Sequence, residues 1–516
     1  HCFPEDVLGS AARVDAALLS VARLSVPGLR PQDDVSLKRL RLPARRYGLG
    51  MRSRVDLAPA AFVGTLCKAV PRMLDSAGRN GTVTDGFLPQ LSPMLGVGSF
   101  DVGNEESRFA MMLASGSRLG QALAVHWAAL QFEIGEVPDG ILRADASGAG
   151  NGIPHVQRTL TMQRETRRFQ ALDVQTRALP EGDVRRQAWQ NLDSFSTVWV
   201  TCWPSRGQYL SNAEFVEVAT RYMGLPSPAC ELMTGSLICG TRRPLDRHGF
   251  HLSSESLPGD GWREQHDCLK WRIVQDAREM GVPVKAEVYG LFAACIPQQS
   301  RGRFDGPPVR KRQGLVPALR ITMQWDCAGP ERALLFEIKT LHHGSSTYPY
   351  GRTERCQAVA RRAAAIPAEY ARKARRVDGA YCGTLSGSTG PVERRLQTFD
   401  PVKGLVFGAF GEASPDVHRL LSALAHAGSM RHYRRMQAQD PEETRGALAW
   451  LMRRRWALTA ARENARLTLS RLEFVGRGSG AAAARRTEAE GRAARARRAA
   501  CASVRGPRVT AGRHGL

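Results

Sequence analysis

The sequence predicts an α/β fold of the α+β type, in which a helical N-terminal region precedes a mixed β-sheet flanked by helices. Apolar residues recur at helical spacing through much of the first half of the chain. Short apolar runs of strand character cluster between Val284 and Gly411, and helical segments separate them. The tail from Gly476 to Leu516 is rich in Ala, Arg and Gly, so we expect it to be disordered.

The chain is long and strongly basic. Its 516 residues suffice for two or three domains, and 73 Lys and Arg against 49 Asp and Glu give a formal net charge of +24. A polyanion, most simply nucleic acid, is the natural partner of such a chain. GC-rich coding, which enriches Arg together with Ala and Gly, is the alternative origin of the Arg excess.

The cysteines, the hydropathy and the N-terminus of the sequence predict the cellular compartment of the protein. Eleven Cys without a repeating framework predict a reduced, intracellular protein of the nucleus or cytoplasm. No apolar run approaches the length of a membrane span, so we expect no membrane partner. The chain begins at His1 and lacks a signal peptide, which predicts a piece of a longer protein.

Periodicity assigns the N-terminal region to helices at His1–Leu24, Ala58–Leu74, Glu105–Phe132 and Val156–Leu192. In the last of these segments, four residues form a basic face that we expect to be solvated: Arg158, Arg164, Arg167 and Arg168. A short strand is predicted near Thr197. The helix Glu214–Met223 follows, with Ser211 or Asn212 as its cap.

The stretch that organises the rest of the chain contains the apolar strand Leu334–Lys339. Residues two apart on a strand point to the same face, so Glu337 and Lys339 share a face while Ile338 turns into the core. A carboxylate that holds Mg²⁺ beside a lysine that orients or deprotonates water suits metal-assisted phosphodiester hydrolysis. The alternative is a surface ion pair on an edge strand.

Other predicted elements surround this strand. A turn-like segment joins it to a preceding strand as an antiparallel hairpin, and Pro367 is expected to kink the helix that follows. In chain order the neighbours are the helix Trp262–Met280, the strands Val284–Phe292 and Leu315–Met323, the helix Thr353–Val377, the strand Asp400–Gly411 and the helix Pro415–Ala427.

This order, with Glu-x-Lys on the third strand, resembles the PD-(D/E)xK nuclease core, the restriction-endonuclease-like fold. In that family the preceding strand carries Pro-Asp, whereas this chain has Pro317 followed by Ala318. The resemblance implies a DNA endonuclease in which Glu337 binds Mg²⁺, Lys339 positions water and Glu287 supplies a second oxygen. The missing Asp implies weakened or lost activity, and Asp326 is a weaker substitute because it lies beyond its strand.

Two further segments resemble polyproteins of non-LTR retroelements. The first is LRLPARRYGLGMRS, with Tyr47 where a Gly often stands, and it resembles the region just past the reverse transcriptase palm and fingers. The second is LSNAEFVEVATRYMGLP. The resemblance implies an enzyme that nicks target DNA to prime reverse transcription, with DNA, RNA and an upstream reverse transcriptase region as partners. A Gly-containing loop between two helices is the alternative for the first segment.

The chain that follows the second segment contains four residues of the types that bind zinc: Cys230, Cys239, His248 and His251. Thiolates and neutral imidazoles are the ligands that Zn²⁺ prefers, at tetrahedral geometry. Their spacing is looser than that of a zinc finger. The hypotheses are therefore a zinc knuckle and a degenerate knuckle that packs without metal.

Nucleic-acid contacts are predicted around the Glu-x-Lys strand, and each candidate has a structural or solvated alternative. They are His266 and Lys270 on the preceding helix, Arg310, Lys311 and Arg312 in a basic loop, and Gln357 and Arg361 on the following helix.

The predicted organisation is 1–134 helical and thumb-like, 135–155 linker, 156–257 helical with the knuckle, 258–475 restriction-endonuclease-like and 476–516 a basic tail. The leading functional hypothesis is a Mg²⁺-dependent endonuclease. The alternatives are a non-catalytic nucleic-acid-binding module on the same scaffold and a structural basic protein.

Overall fold

The structure is a computed structural model that describes residues 4–65, 118–135, 156–202, 205, 208–239, 241, 243–305, 315–325, 329–344, 347–348 and 355–476. The chain divides into two compact units. The first comprises residues 1–25 and 29–179, and the second comprises 26–28 and 180–516. The predicted contacts Arg310, Lys311 and Arg312, and the basic tail beyond Gly476, lie outside the described residues.

The first unit is helical, as the periodicity predicts. Its helices are α1 (Pro4–Ser25), α2 (Asp34–Arg41), α3 (54–65), α4 (Arg118–Ile134) and α5 (Val156–Arg177). Helices α2 and α4 pack against α5. Their shared core contains Leu40, Leu130, Leu160 and Leu172, all nearly inaccessible to solvent.

A tight turn follows α2 in this unit. Tyr47 adopts a left-handed backbone with φ of 61°, which favours Gly, Asn or Asp over a bulky side chain. A Cβ on Gly48 would collide with the backbone of Leu42, so no larger residue fits there. The Gly-containing segment of the sequence therefore forms a compact turn.

The second unit begins with short helices. They are α6 (Val184–Gln190), α7 (Val198–Thr201), α8 (Asn212–Met223), α9 (Pro228–Glu231) and α10 (Phe250–Ser254). Ser211 caps α8 in a capping box with Glu214, in agreement with the predicted cap. The predicted strand near Thr197 is wrong, because this segment forms α7 instead.

The core of this unit is a four-stranded mixed sheet in the order β1-β2-β3-β4. Its strands are β1 (Val284–Ala286), β2 (Leu319–Gln324), β3 (Glu331–Thr340) and β4 (Lys403–Phe407). Neighbours β1, β2 and β3 pair antiparallel, whereas β3 and β4 pair parallel. The helix α11 (Gly261–Glu279) precedes β1. Helix α12 (Gln298–Asp305) lies between β1 and β2 in the chain. Helices α13 (Gln357–Cys382) and α14 (Pro391–Gln397) connect β3 to β4.

Helices cover both faces of the sheet. One face packs against α11 and two C-terminal helices, α15 (Pro415–His432) and α16 (Pro441–Arg471), with Ile273, Phe336 and Trp456 in the core. The other face packs against α13 through Leu335, Val406 and Ile366. The predicted α+β class, a mixed sheet flanked by helices, is thus confirmed.

Several predicted boundaries were wrong. The strand that starts at Val284 ends at Ala286 because Glu287 takes a left-handed φ of 47° and leaves the strand direction. Helix α13 continues through Pro367 to Cys382, beyond its predicted end. The basic loop that contains Arg310 was predicted to span Arg301–Gln313, but its first residues belong to α12. Within the described ranges, no helix has the length and apolarity that crossing a membrane requires.

Candidate active site

Strand β3 presents Glu337 and Lys339 on the face of the sheet that α13 covers. The alternating residues Phe336 and Ile338 are fully buried in the core of the opposite face. Lys339 Nζ lies 2.6 Å from Glu337 Oε1. The two side chains therefore share a face and form an ion pair, as the strand alternation predicts.

Tyr370 from α13 holds the other oxygen of this carboxylate. Its hydroxyl donates to Glu337 Oε2 at 2.7 Å, and the carbonyl oxygen of Val316 lies 3.3 Å away. Burial raises the pKa of the Tyr370 phenol well above its usual value, and the negative charge of Glu337 adds to the rise. Tyr370 therefore stays protonated and fixes the orientation of Glu337.

Lys373 and Glu369 extend this cluster along α13. Lys373 Nζ lies 5.0 Å from the ring centroid of Tyr370, within range of a cation–π contact. Burial lowers the pKa of Lys373; Glu337 opposes the shift and Lys339 adds to it. Hydrogen bonds from Arg362 hold the pKa of Glu369 below its usual value. Glu337 therefore lies within the electrostatic range of two lysines.

Ala318 lies just before β2, one residue beyond the last regular pair of the hairpin, Leu319 with Phe336. Its carbonyl oxygen accepts a hydrogen bond from the Glu287 amide at 2.9 Å. Its side chain is 6% exposed and packs in the core that contains Phe336 and Ile338, on the opposite face from Glu337. A carboxylate at position 318 would therefore have to turn away from this core to meet Glu337.

Glu287 is not joined to this cluster. Its carboxylate accepts hydrogen bonds from Lys270 Nζ at 2.8 Å and from the Tyr289 hydroxyl at 3.1 Å. Burial opposes ionisation, but these partners hold the pKa of Glu287 below its usual value. The left-handed backbone at Glu287 ends β1, which β2 separates from β3, and the Glu287 side chain meets Lys270 of α11 instead.

Lys270 does not present its charge to solvent, contrary to the prediction of a phosphate contact. Its side chain is 1% exposed, and Nζ also lies 2.8 Å from Asp267 Oδ1. The neighbouring His266 contacts the same oxygen through Nδ1 at 3.0 Å. Burial opposes ionisation, yet these hydrogen bonds lower the pKa of Asp267 to about 2. Lys270 is thus engaged by two carboxylates.

A groove of about 960 Å³ adjoins Lys339. It follows the end of β3 and the first turns of α11, and five histidines contribute to its wall: His248, His251, His266, His342 and His343. Trp262 stacks on His342, with ring centroids 5.7 Å apart. Burial lowers the pKa of His342 to about 4. The groove is therefore large enough to hold a nucleotide. The low pKa keeps His342 neutral at physiological pH.

The predicted zinc ligands do not converge. Cys230 is buried in a small apolar core, and burial raises the pKa of its thiol to about 11. His248 Nδ1 lies 3.2 Å from the Leu225 carbonyl, and His251 Nδ1 lies 2.9 Å from the Pro244 carbonyl. Cys239 packs at the edge of the same core. Of the residues that the structure describes, no three His, Cys, Asp or Glu are grouped so as to hold a metal ion.

The side chains near Glu337 do not complete the magnesium site that the resemblance implies. Magnesium takes oxygen ligands and is commonly held by one or two carboxylates with water and phosphate oxygens. Here Glu337 is the carboxylate at the site, position 318 is Ala, and Glu287 faces Lys270. A two-carboxylate ligand set is therefore not formed by these residues.

The helix α13 carries the remaining predicted contacts. Gln357 is its first residue, and Arg361 is exposed and donates to the Thr347 carbonyl at 2.9 Å. The sequence pattern indicated Lys373 among the polar residues of this helix but did not predict Tyr370 or Glu369 at the site. The available indication was a tyrosine on the apolar face of a helix otherwise rich in Ala and Arg.

Comparisons with known proteins do not assign a family. No protein-family model matches this sequence, and no curated protein is significantly similar to it. Function must therefore be inferred from the geometry of the site.

Proposed function

We propose that this chain is the endonuclease portion of a retroelement polyprotein, a metal-dependent DNA phosphodiesterase weakened by the loss of one carboxylate. The arrangement α11-β1-β2-β3-α13-β4, with β3 and β4 parallel, matches the order expected for a restriction-endonuclease-like core. The net charge of +24 suits a DNA or RNA partner.

The observation that carries this proposal is the Glu337–Lys339 pair, presented near the end of β3 beside a groove. A lysine at the end of a sheet strand places a positive charge where a phosphodiester oxygen would gain charge during hydrolysis. The Lys339 side chain is 34% exposed, so it is accessible to a substrate as well as paired with Glu337. The position of Glu337 and Lys339 in the fold supports this proposal, whereas the number of carboxylates at the site does not.

Each residue has a distinct role in the proposal. Lys339 orients the attacking water and stabilises charge on the phosphate. Tyr370 is a positioning residue that holds the Glu337 carboxylate, and Glu337 in turn orients Lys339. Because the second carboxylate is missing, we expect activity lower by about a hundredfold to a thousandfold, which corresponds to about 3–4 kcal/mol of transition-state stabilisation.

Plasmid nicking tests the proposal. We expect weak Mg²⁺-dependent conversion of supercoiled DNA to open circles by the wild-type chain, and none by Lys339→Ala. Ala318→Asp should raise the rate, whereas the matched variant Ala318→Asn, of equal size but uncharged, should not. Circular dichroism and thermal melting check that each variant folds.

Metal binding provides a second measurement. Two adjacent carboxylates repel each other without a cation, so Mg²⁺ should raise the melting temperature of Ala318→Asp more than that of the wild type. If Ala318→Asp folds and binds Mg²⁺ but remains inert, the assignment of β2 and β3 to a nuclease core is wrong.

A non-catalytic nucleic-acid-binding module is the second candidate. It is favoured by one observation: both oxygens of Glu337 are already engaged, by Lys339 and by Tyr370. In that case plasmid would bind with a strong salt dependence and would not be nicked by the wild type or by Ala318→Asp.

A further inference from the structure

The first unit contains a cavity of about 260 Å³ among α2, the turn after it, α3 and α5. Its charged lining is dominated by basic residues: Lys38, Arg41, Arg52, Arg164 and Arg168, against the acids Asp56 and Glu165. These residues come from four separate segments of the chain. The folded unit therefore concentrates positive charge at one point.

Arg164 is the most buried of these cations. The sequence predicted a solvated basic face, but Arg164 is 7% exposed. Its Nε and Nη2 pair with the Glu133 carboxylate. Its third nitrogen, Nη1, is shielded from solvent and has no hydrogen-bond partner among the residues that the structure describes. An unsatisfied buried guanidinium nitrogen is costly, and turning Nη1 toward an anion in the adjacent cavity would relieve that cost.

Arg41 and Lys38 are exposed cations of the cavity. Lys38 forms an ion pair with Asp34 at 2.6 Å, whereas no hydrogen bond or ion pair of Arg41 is found within the described ranges. The charge of Arg41 nevertheless acts on the lining. Burial opposes ionisation of Asp56, but a hydrogen bond from Arg168 and the charges of Arg168, Arg164 and Arg41 hold the pKa of this carboxyl below its usual value.

The two acids hold the arginine forks in place. Arg168 Nη1 lies 2.6 Å from Asp56 Oδ2, and Arg52 Nη2 lies 2.9 Å from Glu165 Oε1. Guanidinium forks bind the oxygens of carboxylates and of phosphates, and a phosphoryl group offers more oxygens to the several cations of this cavity.

We propose that this cavity binds a phosphoryl group, carried either by a nucleic-acid backbone or by a free phosphorylated small molecule. Arg41 and Arg52 contact the anion from the rim, and Arg164 completes its hydrogen bonding from the inner wall. The site belongs to the helical unit and does not depend on the proposed endonuclease activity.

Titration calorimetry of the full chain with inorganic phosphate tests the site, with ionic strength held constant by chloride. Arg41→Gln removes an exposed cation of the cavity, and Ala171→Glu places a carboxylate at an exposed lining position. We expect each to weaken phosphate binding by about tenfold or more, the effect of one charge-assisted hydrogen bond. The matched control is Arg158→Gln, an exposed arginine of the same helix that does not line the cavity, and it should change affinity by less than about twofold.

A short single-stranded RNA, measured by fluorescence anisotropy, identifies the source of the phosphate. If Arg41→Gln also weakens RNA binding and phosphate competes with RNA, the ligand is a nucleic-acid backbone. If only phosphate binding depends on Arg41, the ligand is a free phosphorylated molecule. Absence of phosphate binding by the wild type, or equal losses in Arg41→Gln and Arg158→Gln, would overturn the proposal.

Discussion

Two glutamate–lysine pairs in the second unit have similar geometry but different surroundings. Glu337 and Lys339 are 2.6 Å apart on one strand, and the lysine side chain is 34% exposed. Glu287 and Lys270 are 2.8 Å apart between a strand end and a helix, and the lysine side chain is 1% exposed. The buried lysine is shared with a second carboxylate, Asp267.

The difference shows that distance alone does not identify a catalytic pair. A lysine without contact to water requires carboxylates to offset its desolvation, so Lys270 has a structural role. Lys339 keeps contact with a groove and can meet a substrate. The accessibility of the lysine, rather than the ion pair, separates the two.

The largest effect is expected at a buried carboxyl whose hydrogen bonds come from neutral donors in the described part of the chain. Glu412 is fully buried and accepts hydrogen bonds from the Tyr348 hydroxyl at 2.7 Å and the Phe410 amide at 3.0 Å. Burial raises the pKa of Glu412 from 4.5 to about 8. The folded-state pKa thus exceeds the unfolded one, so the stabilising contribution is complete below pH 4.5 and is lost as pH rises through 8.

Between pH 5 and pH 8, we expect the unfolding free energy of the wild type to fall by about 3–4 kcal/mol relative to that of Glu412→Gln. This value follows from a slope of about 1.4 kcal/mol per pH unit. Urea unfolding at several pH values measures the slope. Parallel pH curves for the two proteins would show that Glu412 ionises normally in the folded chain.

Replacing each lysine in turn tests the contrast between the two ion pairs directly. Lys270→Met should cost about 2–4 kcal/mol, because two carboxylates lose their common cation and remain partly buried. Lys339→Met should cost less than about 1 kcal/mol, since its pair is partly solvated. Urea unfolding at neutral pH provides both values. Equal losses would mean that the pairs are energetically equivalent and that the burial contrast has no consequence.

A change of intermediate size tests the role of Tyr370. Tyr370→Phe leaves Glu337 Oε2 without its donor and should cost about 1–2 kcal/mol. Tyr381→Phe is the control on the same helix, because its ring packs on Phe304 and it should change stability by less than about 0.5 kcal/mol. In the nicking assay, Tyr370→Phe should lower the rate without changing DNA affinity. A rate equal to that of the wild type would remove Tyr370 from the site.

The local sequence pattern was sufficient to predict part of the candidate site. Strand alternation from Leu334 to Lys339 placed Glu337 and Lys339 on one face, and the periodicity of α11 located that helix to within a residue. Tyr370 was not predicted, because its contact with Glu337 depends on how α13 crosses the sheet. Glu287 was misplaced because one left-handed residue ended β1.

The amino-acid order alone determined the α+β class, the basic character and the neighbouring acid and amine on β3, since these follow from short-range periodicity and composition. Packing between distant segments decided which cations face water and which are enclosed. Lys270 and Arg164 have ordinary positions on helical faces, but Lys270 pairs with Glu287, 17 residues away, and Arg164 with Glu133, 31 residues away. Burial of a charge depends on these long-range contacts, which no local pattern contains.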